Sequence, residues 1–261
     1  MKVVLFCGGQ GMRMREYSDS IPKPMVPIGS RPLLWHLMRY YANYGHKEFV
    51  LCLGYRGDVV KNYFLNYDEC VSNDFVLSQG AKNVELLSTD IADWKITFVD
   101  TGLHSNIGQR LIKVRKFLKE DELFLANYAD GLSDLPLPKV LDYFSAQNKV
   151  GCFVAVRPMA TQHLVDFTEQ GIVTDIHSTA QSSRRINGGF FIFRKQIFDF
   201  VKDGEELVEQ PFHRLIEQRK LLAYPYDGFW ACMDTFKEKQ HLDDLYTGGK
   251  APWEIWRRDQ T

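Results

Sequence analysis

Several signatures that would assign this chain quickly are missing. No stretch approaches the roughly 18 consecutive apolar residues of a membrane span. The chain opens with one lysine and a short apolar run ending in glycines, without the long apolar region or small-residue cleavage site of a secretory leader. A cytoplasmic protein, away from membranes, is the expectation. Runs of lysine or arginine are absent and the formal net charge is only −1, so the electrostatic footprint of a nucleic-acid binder is lacking. Cysteine is sparse. Cys7, Cys52, Cys70, Cys152 and Cys232 are odd in number and show no C-x-x-C spacing, which argues against a disulfide framework or a zinc site and for reduced, mostly buried thiols. Two nucleotide-binding fingerprints also fail. The dinucleotide pattern needs a third glycine at position 14, where Met14 stands, and the Gly-Lys-Ser/Thr triplet of the P-loop does not occur.

What is present is a series of short apolar blocks, the first and the one ending at Leu53 followed directly by glycine. At 261 residues and 45% hydrophobic, the chain can bury the core of one large α/β domain over 1–261. Its first block, Met1-Lys-Val-Val-Leu-Phe-Cys7, is nearly continuous in valine and leucine and reads as a strand buried on both faces at the centre of a parallel sheet. Gly8-Gly-Gln-Gly-Met-Arg13 follows at once. Such a turn leaves no Cβ between its amides and a ligand, and Arg13 and Lys23 add fixed positive charge. Bare amides with an Arg and a Lys suit a polyphosphate, although an ordinary tight strand-to-helix connection reads equally well from these glycines alone.

The same grammar continues. A helix is expected over Arg31 to Tyr44, then a strand Phe49 to Leu53, the turn Gly54-Tyr-Arg-Gly57 and a helix from Asp58 to Tyr67. Further strands are expected at Lys95 to Val99, Glu122 to Ala126 and Val150 to Val156, with an aromatic strand at Phe190 to Phe193. Helices follow at Leu137 to Gln147 and Lys237 to Leu245, and weaker strands near 164–167 and 171–176 form an antiparallel excursion. Strand, glycine turn and helix in that order mark a doubly wound, mostly parallel sheet, whose ligands sit at the carboxyl ends of its strands. Asp130, at the end of one such strand in Asn127-Tyr-Ala-Asp130-Gly131, is a candidate magnesium ligand or a plain Asp-Gly turn. Asp234 is a candidate ligand or a helix N-cap. His36, within the first helix pattern, reads as a histidine packed against the sheet rather than a catalytic one.

Phe6-Cys-Gly-Gly-Gln-Gly-Met-Arg13, with Pro22-Lys-Pro-Met25 about ten residues on, resembles the sugar-phosphate nucleotidyltransferases. Ile186-Asn-Gly-Gly189 matches the same family, and Val99-Asp-Thr-Gly102, Gly108-Gln-Arg110 and the ending from Gly228 to Trp256 resemble the branch that transfers cytidylyl groups to glucose 1-phosphate. The resemblance implies a Rossmann-like sheet of the nucleotide-diphospho-sugar transferase type, with a nucleotide-binding part (1–135) and an acceptor-binding part (136–261). It implies CTP as nucleotide, with UTP or dTTP as alternatives, Mg2+ as cofactor, and a phosphorylated sugar or polyol as acceptor. Phe6, Gly8, Gly9, Gly11, Met12, Arg13, Lys23 and Arg110 would hold the nucleotide. Arg13, Lys23 and Asp130 would carry the reaction, and Asp130 with Asp234 the metal. Gly131, Arg184, Arg185, Asn187 and Gly188 would face the acceptor. A homo-oligomer stays open, since the aromatic tail with Trp253 and Trp256 suits its own domain or a neighbouring copy equally.

Three positions depart from the family's pattern. Met12 replaces the usual Thr, a mild change in a loop that works through its backbone. Ser178-Thr179-Ala180 stands where the family has Glu-Lys-Pro, so the lysine expected on the acceptor phosphate is gone, and Arg184 and Arg185 are its candidate substitutes. Gln210 stands before Pro211 where an acidic residue is usual. These changes set a phosphorylated acceptor other than glucose 1-phosphate, and a nucleotide-sugar sensor without turnover, beside the cytidylyltransferase reading.

Overall fold

In the computed structural model, which describes residues 1–9, 21–158, 163–179 and 184–258, alternate residues of the first strand enter different cores. Strand β1 (Lys2–Phe6) sends Val3 and Leu5 into one apolar cluster and Val4 and Phe6 into another, on opposite faces of the sheet. Both faces are covered. That is why this strand is apolar almost throughout rather than alternating.

β1 pairs in parallel with β2 (Glu48–Leu53) on one side and β4 (Leu123–Tyr128) on the other, and β2 pairs in parallel with β3 (Lys95–Asp100). Beyond β4 the sheet turns antiparallel. There β5 (Gly151–Val156) meets β6 (Ile186–Asn187) and β7 (Phe191–Arg194), and β7 also pairs with β4. Strand β8 (Leu221–Tyr226) closes the other edge of β5 in parallel register, completing eight strands in a mixed, mostly parallel sheet. The expected doubly wound α/β architecture is what the chain forms, and the expected antiparallel excursion is the two-stranded ribbon His163–Phe167 with Val173–Ser178.

β6 and β7 are one strand interrupted at Gly188 to Phe190. Gly189 (φ +76°) and Phe190 (φ +49°) both take left-handed backbone, uncommon for a bulky residue such as phenylalanine. The Asn127 side-chain oxygen accepts a hydrogen bond from the Phe190 amide at 2.9 Å. A Cβ on Gly189 would lie 2.3 Å from that oxygen, so the kink needs glycine.

Local details differ from the sequence reading for identifiable reasons. Helix α1 (Leu33–Asn43) starts two residues later than expected, because Arg31 precedes a proline and is steered to extended backbone; Arg31–Pro32 pairs instead with Pro27–Ile28. Helix α3 (Ile107–Val114), which follows α2 (Gly57–Leu65), begins at a capping box between Asn106 and Gln109. Strand β8 was unforeseen. Its Pro225 weakens a strand reading, and it survives because β8 lies at the sheet edge. A further helix, Gln210–Glu217, was not anticipated either.

Candidate active site

The parallel strands end on one side of the sheet, and a short ribbon brings distant segments to that side. Immediately after β4, Gly131–Ser133 pairs antiparallel with Trp230–Cys232, Gly131 opposite Cys232. The Met233 amide donates to the Asp130 carbonyl at 2.8 Å. This register places Asp130 and Asp234 at neighbouring ends of the two strands. The N-cap of the following helix, Phe236–Thr247, is Thr235 rather than Asp234: its hydroxyl accepts from the Glu238 amide, and the Glu238 side chain accepts in return. The Asp234 carboxylate is thereby turned onto the cleft side.

Lys23 stands between the two acids. Its ammonium donates to Asp130 Oδ2 at 2.9 Å and to Asp234 Oδ1 at 2.5 Å, across sequence separations of 107 and 211 residues. Burial by itself would favour the neutral amine, but the charge and hydrogen bonds of both carboxylates outweigh it and hold Lys23 above its ordinary pKa. Each carboxylate keeps about a third of its surface exposed. Two hard oxygen donors from separate elements, open to a cleft and already gathered round one positive charge, are a donor set that a divalent cation accepts.

The cleft beside them has a volume of 390 Å³, within the range of small-molecule sites. Phe6, Cys7, Gly9, Lys23, Pro24, Ile107, Tyr128, Asp130 and Asp234 are on its walls. Of the residues assigned to the nucleotide from sequence, Phe6, Gly9 and Lys23 therefore line it, while Gly11, Met12 and Arg13 lie outside the described residues. A Cβ on Gly9 would meet nothing within 4 Å, so its backbone faces open space. Gly8 is a glycine for another reason: a Cβ there would fall 1.9 Å from the Arg110 guanidinium.

Arg110 itself is corrected by the structure. The resemblance implies a phosphate contact, but Arg110 is 2% exposed and its donors are committed to the protein. Nη2 donates to the Gly8 carbonyl at 2.9 Å, and Nη1 donates to Thr101 Oγ1 at 2.6 Å and to the Leu53 carbonyl at 3.1 Å. The guanidinium braces Gly8, where the glycine motif begins, and joins the ends of β1, β2 and β3.

Arg185 is likewise engaged away from the cleft walls. It donates from Nη2 to both carboxylate oxygens of Asp227 at 2.9 Å, and from Nη1 to the Tyr226 and Ala155 carbonyls. Arg157 shares Asp227 at 2.7 Å, and Arg184 is exposed. Asn187 sits one step behind the cleft: Nδ2 donates to the Tyr128 hydroxyl at 3.2 Å, and Oδ1 accepts from the Gly189 amide at 2.9 Å. Gly188 is buried against Val156 and Trp230, and its carbonyl accepts from the Trp230 indole at 2.9 Å. Gly131 belongs to the ribbon that carries Asp130.

Ile107, Tyr128, Pro24 and Cys7 are cleft residues that sequence reasoning did not single out. Tyr128 had a usable signal, two places before Asp130 at the end of a buried strand; Ile107, an apolar residue at a helix start, had none. The cleft cysteine is not poised as a nucleophile. Burial pushes Cys7 well up, with Cys52 adding to it, and nearby Cys232 is pushed up to about 12, by burial first and then by Glu238, Asp234 and Asp130.

A mostly parallel sheet whose carboxyl ends gather Gly8 and Gly9, a lysine and two converging acids beside a cleft has the architecture of the nucleotide-binding α/β class. Residues 2–235 match the family described as Nucleotidyl transferase, and the chain belongs to that family. It is 36% identical over 257 residues to a glucose-1-phosphate cytidylyltransferase of Salmonella typhimurium, covering 98% of this chain and all of the relative. A probable glucose-1-phosphate cytidylyltransferase of Bacillus subtilis is 34% identical over 258 residues, with 98% and 100% coverage. Among solved structures, a UDP-glucose pyrophosphorylase complexed with UDP-glucose superposes with a TM-score of 0.68 at 15% identity, covering 95% of this chain and 98% of that one, and so shares the fold. Among the described residues, no helix is long and apolar enough to cross a membrane.

Proposed function

We propose that this enzyme transfers a cytidylyl group from CTP to a sugar 1-phosphate, forming a CDP-sugar and pyrophosphate. The observation that carries the reading is the convergence of Asp130 and Asp234 on Lys23 at the cleft. The names of the full-length relatives supply CTP and glucose 1-phosphate as the first substrates to test. In this reading 1–135 forms the nucleotide side and 136–261 the acceptor side and C-terminal segment of one domain.

An acceptor phosphate oxygen attacks the α-phosphorus in line while pyrophosphate leaves, so catalysis consists of positioning and charge stabilisation. Gly8 and Gly9, with Gly11 and Arg13 of the same loop, present amides and charge to the triphosphate, and Arg110 keeps the loop floor rigid. Asp130 and Asp234 would hold a magnesium ion, which when bound supplies charge neutralisation at the phosphates. Lys23 offsets charge that develops as the bond to pyrophosphate breaks. Asn187, through Tyr128, shapes the wall where the acceptor sugar sits, with Gly131, Gly188 and Arg184 on the same side.

The test is a screen of purified protein for magnesium-dependent pyrophosphate release, crossing CTP, UTP, dTTP and ATP with sugar and alditol phosphates. CTP with glucose 1-phosphate should be the productive pair. Release with another nucleotide only would overturn the cytidylyl assignment, and CTP binding without release for any acceptor would indicate a sensor.

A further inference from the structure

The position of Lys23 has a consequence for how the cation reaches its site. The ammonium bridges Asp130 and Asp234 at 2.9 and 2.5 Å, the place a divalent ion would take. Its backbone is fixed: Lys23 opens a single tight turn, Lys23–Met25, flanked by Pro22 and Pro24, with Pro24 and Met25 buried. Its side chain is not fixed in that sense, since a lysine reaches across four carbons and can redirect its charge without moving the chain. Among the described residues on the cleft wall, Lys23 is the cation.

We propose that Lys23 is a resident counter-ion that keeps free divalent metal off the Asp130–Asp234 pair, so that the ion enters together with the triphosphate. This rests on the reading above that the two acids hold the metal. The physical case is one of exchange. A lone metal ion arriving at the pair must either displace a charge-assisted hydrogen bond from each carboxylate or sit against a neighbouring ammonium at close range. A metal–triphosphate complex brings its own anion, so the ammonium that leaves the carboxylates finds phosphate oxygens in the same cleft. Lysine and metal then change partners in one step, with no charge left unpaired in a partly buried site. The enzyme would load its cation in one order and would respond to metal–nucleotide complex rather than to free metal.

The measurement is a Mn2+ titration of the full-length protein without nucleotide or acceptor, read by the electron paramagnetic resonance of unbound Mn2+. Replacing Lys23→Met should tighten Mn2+ binding roughly tenfold or more. In the double variant with Asp234→Asn that gain should disappear, which locates the ion. Should Lys23→Met fail to fold by circular dichroism, Lys23→Gln carries the same expectation. Equal or weaker Mn2+ binding by the folded Lys23 variants, or a gain that persists in the Asp234→Asn background, would overturn the proposal. Because the titration contains no substrate, failure of the cytidylyl assay would refute the substrate assignment separately and leave this result standing.

Discussion

The parallel half of the sheet and its antiparallel half handle basic side chains differently. On the parallel side, Lys23 reaches the cleft while Arg110 lies under the loop, buried and satisfied by carbonyls at the ends of β1 and β2. On the antiparallel side, Arg157 and Arg185 converge on the half-exposed Asp227 and on strand-edge carbonyls. A cation marked by motif can thus be spent on the protein's own oxygens; what sets Lys23 apart is that its partners are carboxylates open to the cleft. Arg110 and Arg185 both found such partners. The lysine found carboxylates that a metal would also want.

The strongest test of this contrast is to remove the acids. Asp130→Asn or Asp234→Asn should lower kcat/KM by about 10³-fold while leaving the circular dichroism spectrum unchanged; activity within tenfold of wild type would break the assignment of the cleft. Next in size is Arg110→Met, which leaves buried carbonyls without donors and should cost about 2–3 kcal/mol in urea or thermal unfolding. A brace predicts lost stability together with poorer nucleotide binding. A phosphate ligand would lose binding alone.

Acid sensitivity sharpens the comparison from the first turn of α1, where the C-terminal segment is tied to the first half of the chain. Trp253, fully buried on its own domain, donates its indole N–H to His36 Nδ1 at 3.3 Å, and His36 Nε2 donates to the Ile28 carbonyl at 3.0 Å. Both ring nitrogens are used in the neutral form, and burial holds the His36 pKa down at about 4. The folded state thus binds its proton less readily than the unfolded chain, whose histidine titrates near 6.5. Stability from this group is complete above that value and is lost as pH falls towards 4, by about 2 kcal/mol at pH 5. Unfolding midpoints between pH 7 and 5 should show this slope, and His36→Gln should make it shallower.

Gly8→Ala should cost about 1–3 kcal/mol, because the methyl group collides with the Arg110 guanidinium at a place where neither can withdraw. The smallest effect belongs to the antiparallel side. Arg185→Met should change stability by no more than about 1 kcal/mol, since Asp227 is more than half exposed and keeps Arg157. A larger loss would put Arg185 in the same class as Arg110.

Much of this organisation could be read from the chain alone. Continuous apolar runs are enough to specify β1, β2 and β4 as buried parallel strands, because only a strand covered on both faces has no polar side to show. The glycines after β1 and Asp130 follow from their places at strand ends, and Lys23 from the Pro-Lys-Pro motif that carries the family resemblance. Gly131 and Cys232 face each other only because two short segments pair across the sheet, so the meeting of Asp130 with Asp234 has no local sign. The same holds for the arginines. Sequence determined only that they were available as charges; tertiary structure decided that Arg110 and Arg185 spend their hydrogen bonds on the protein, because a buried guanidinium cannot leave its donors unmet and takes the nearest oxygens.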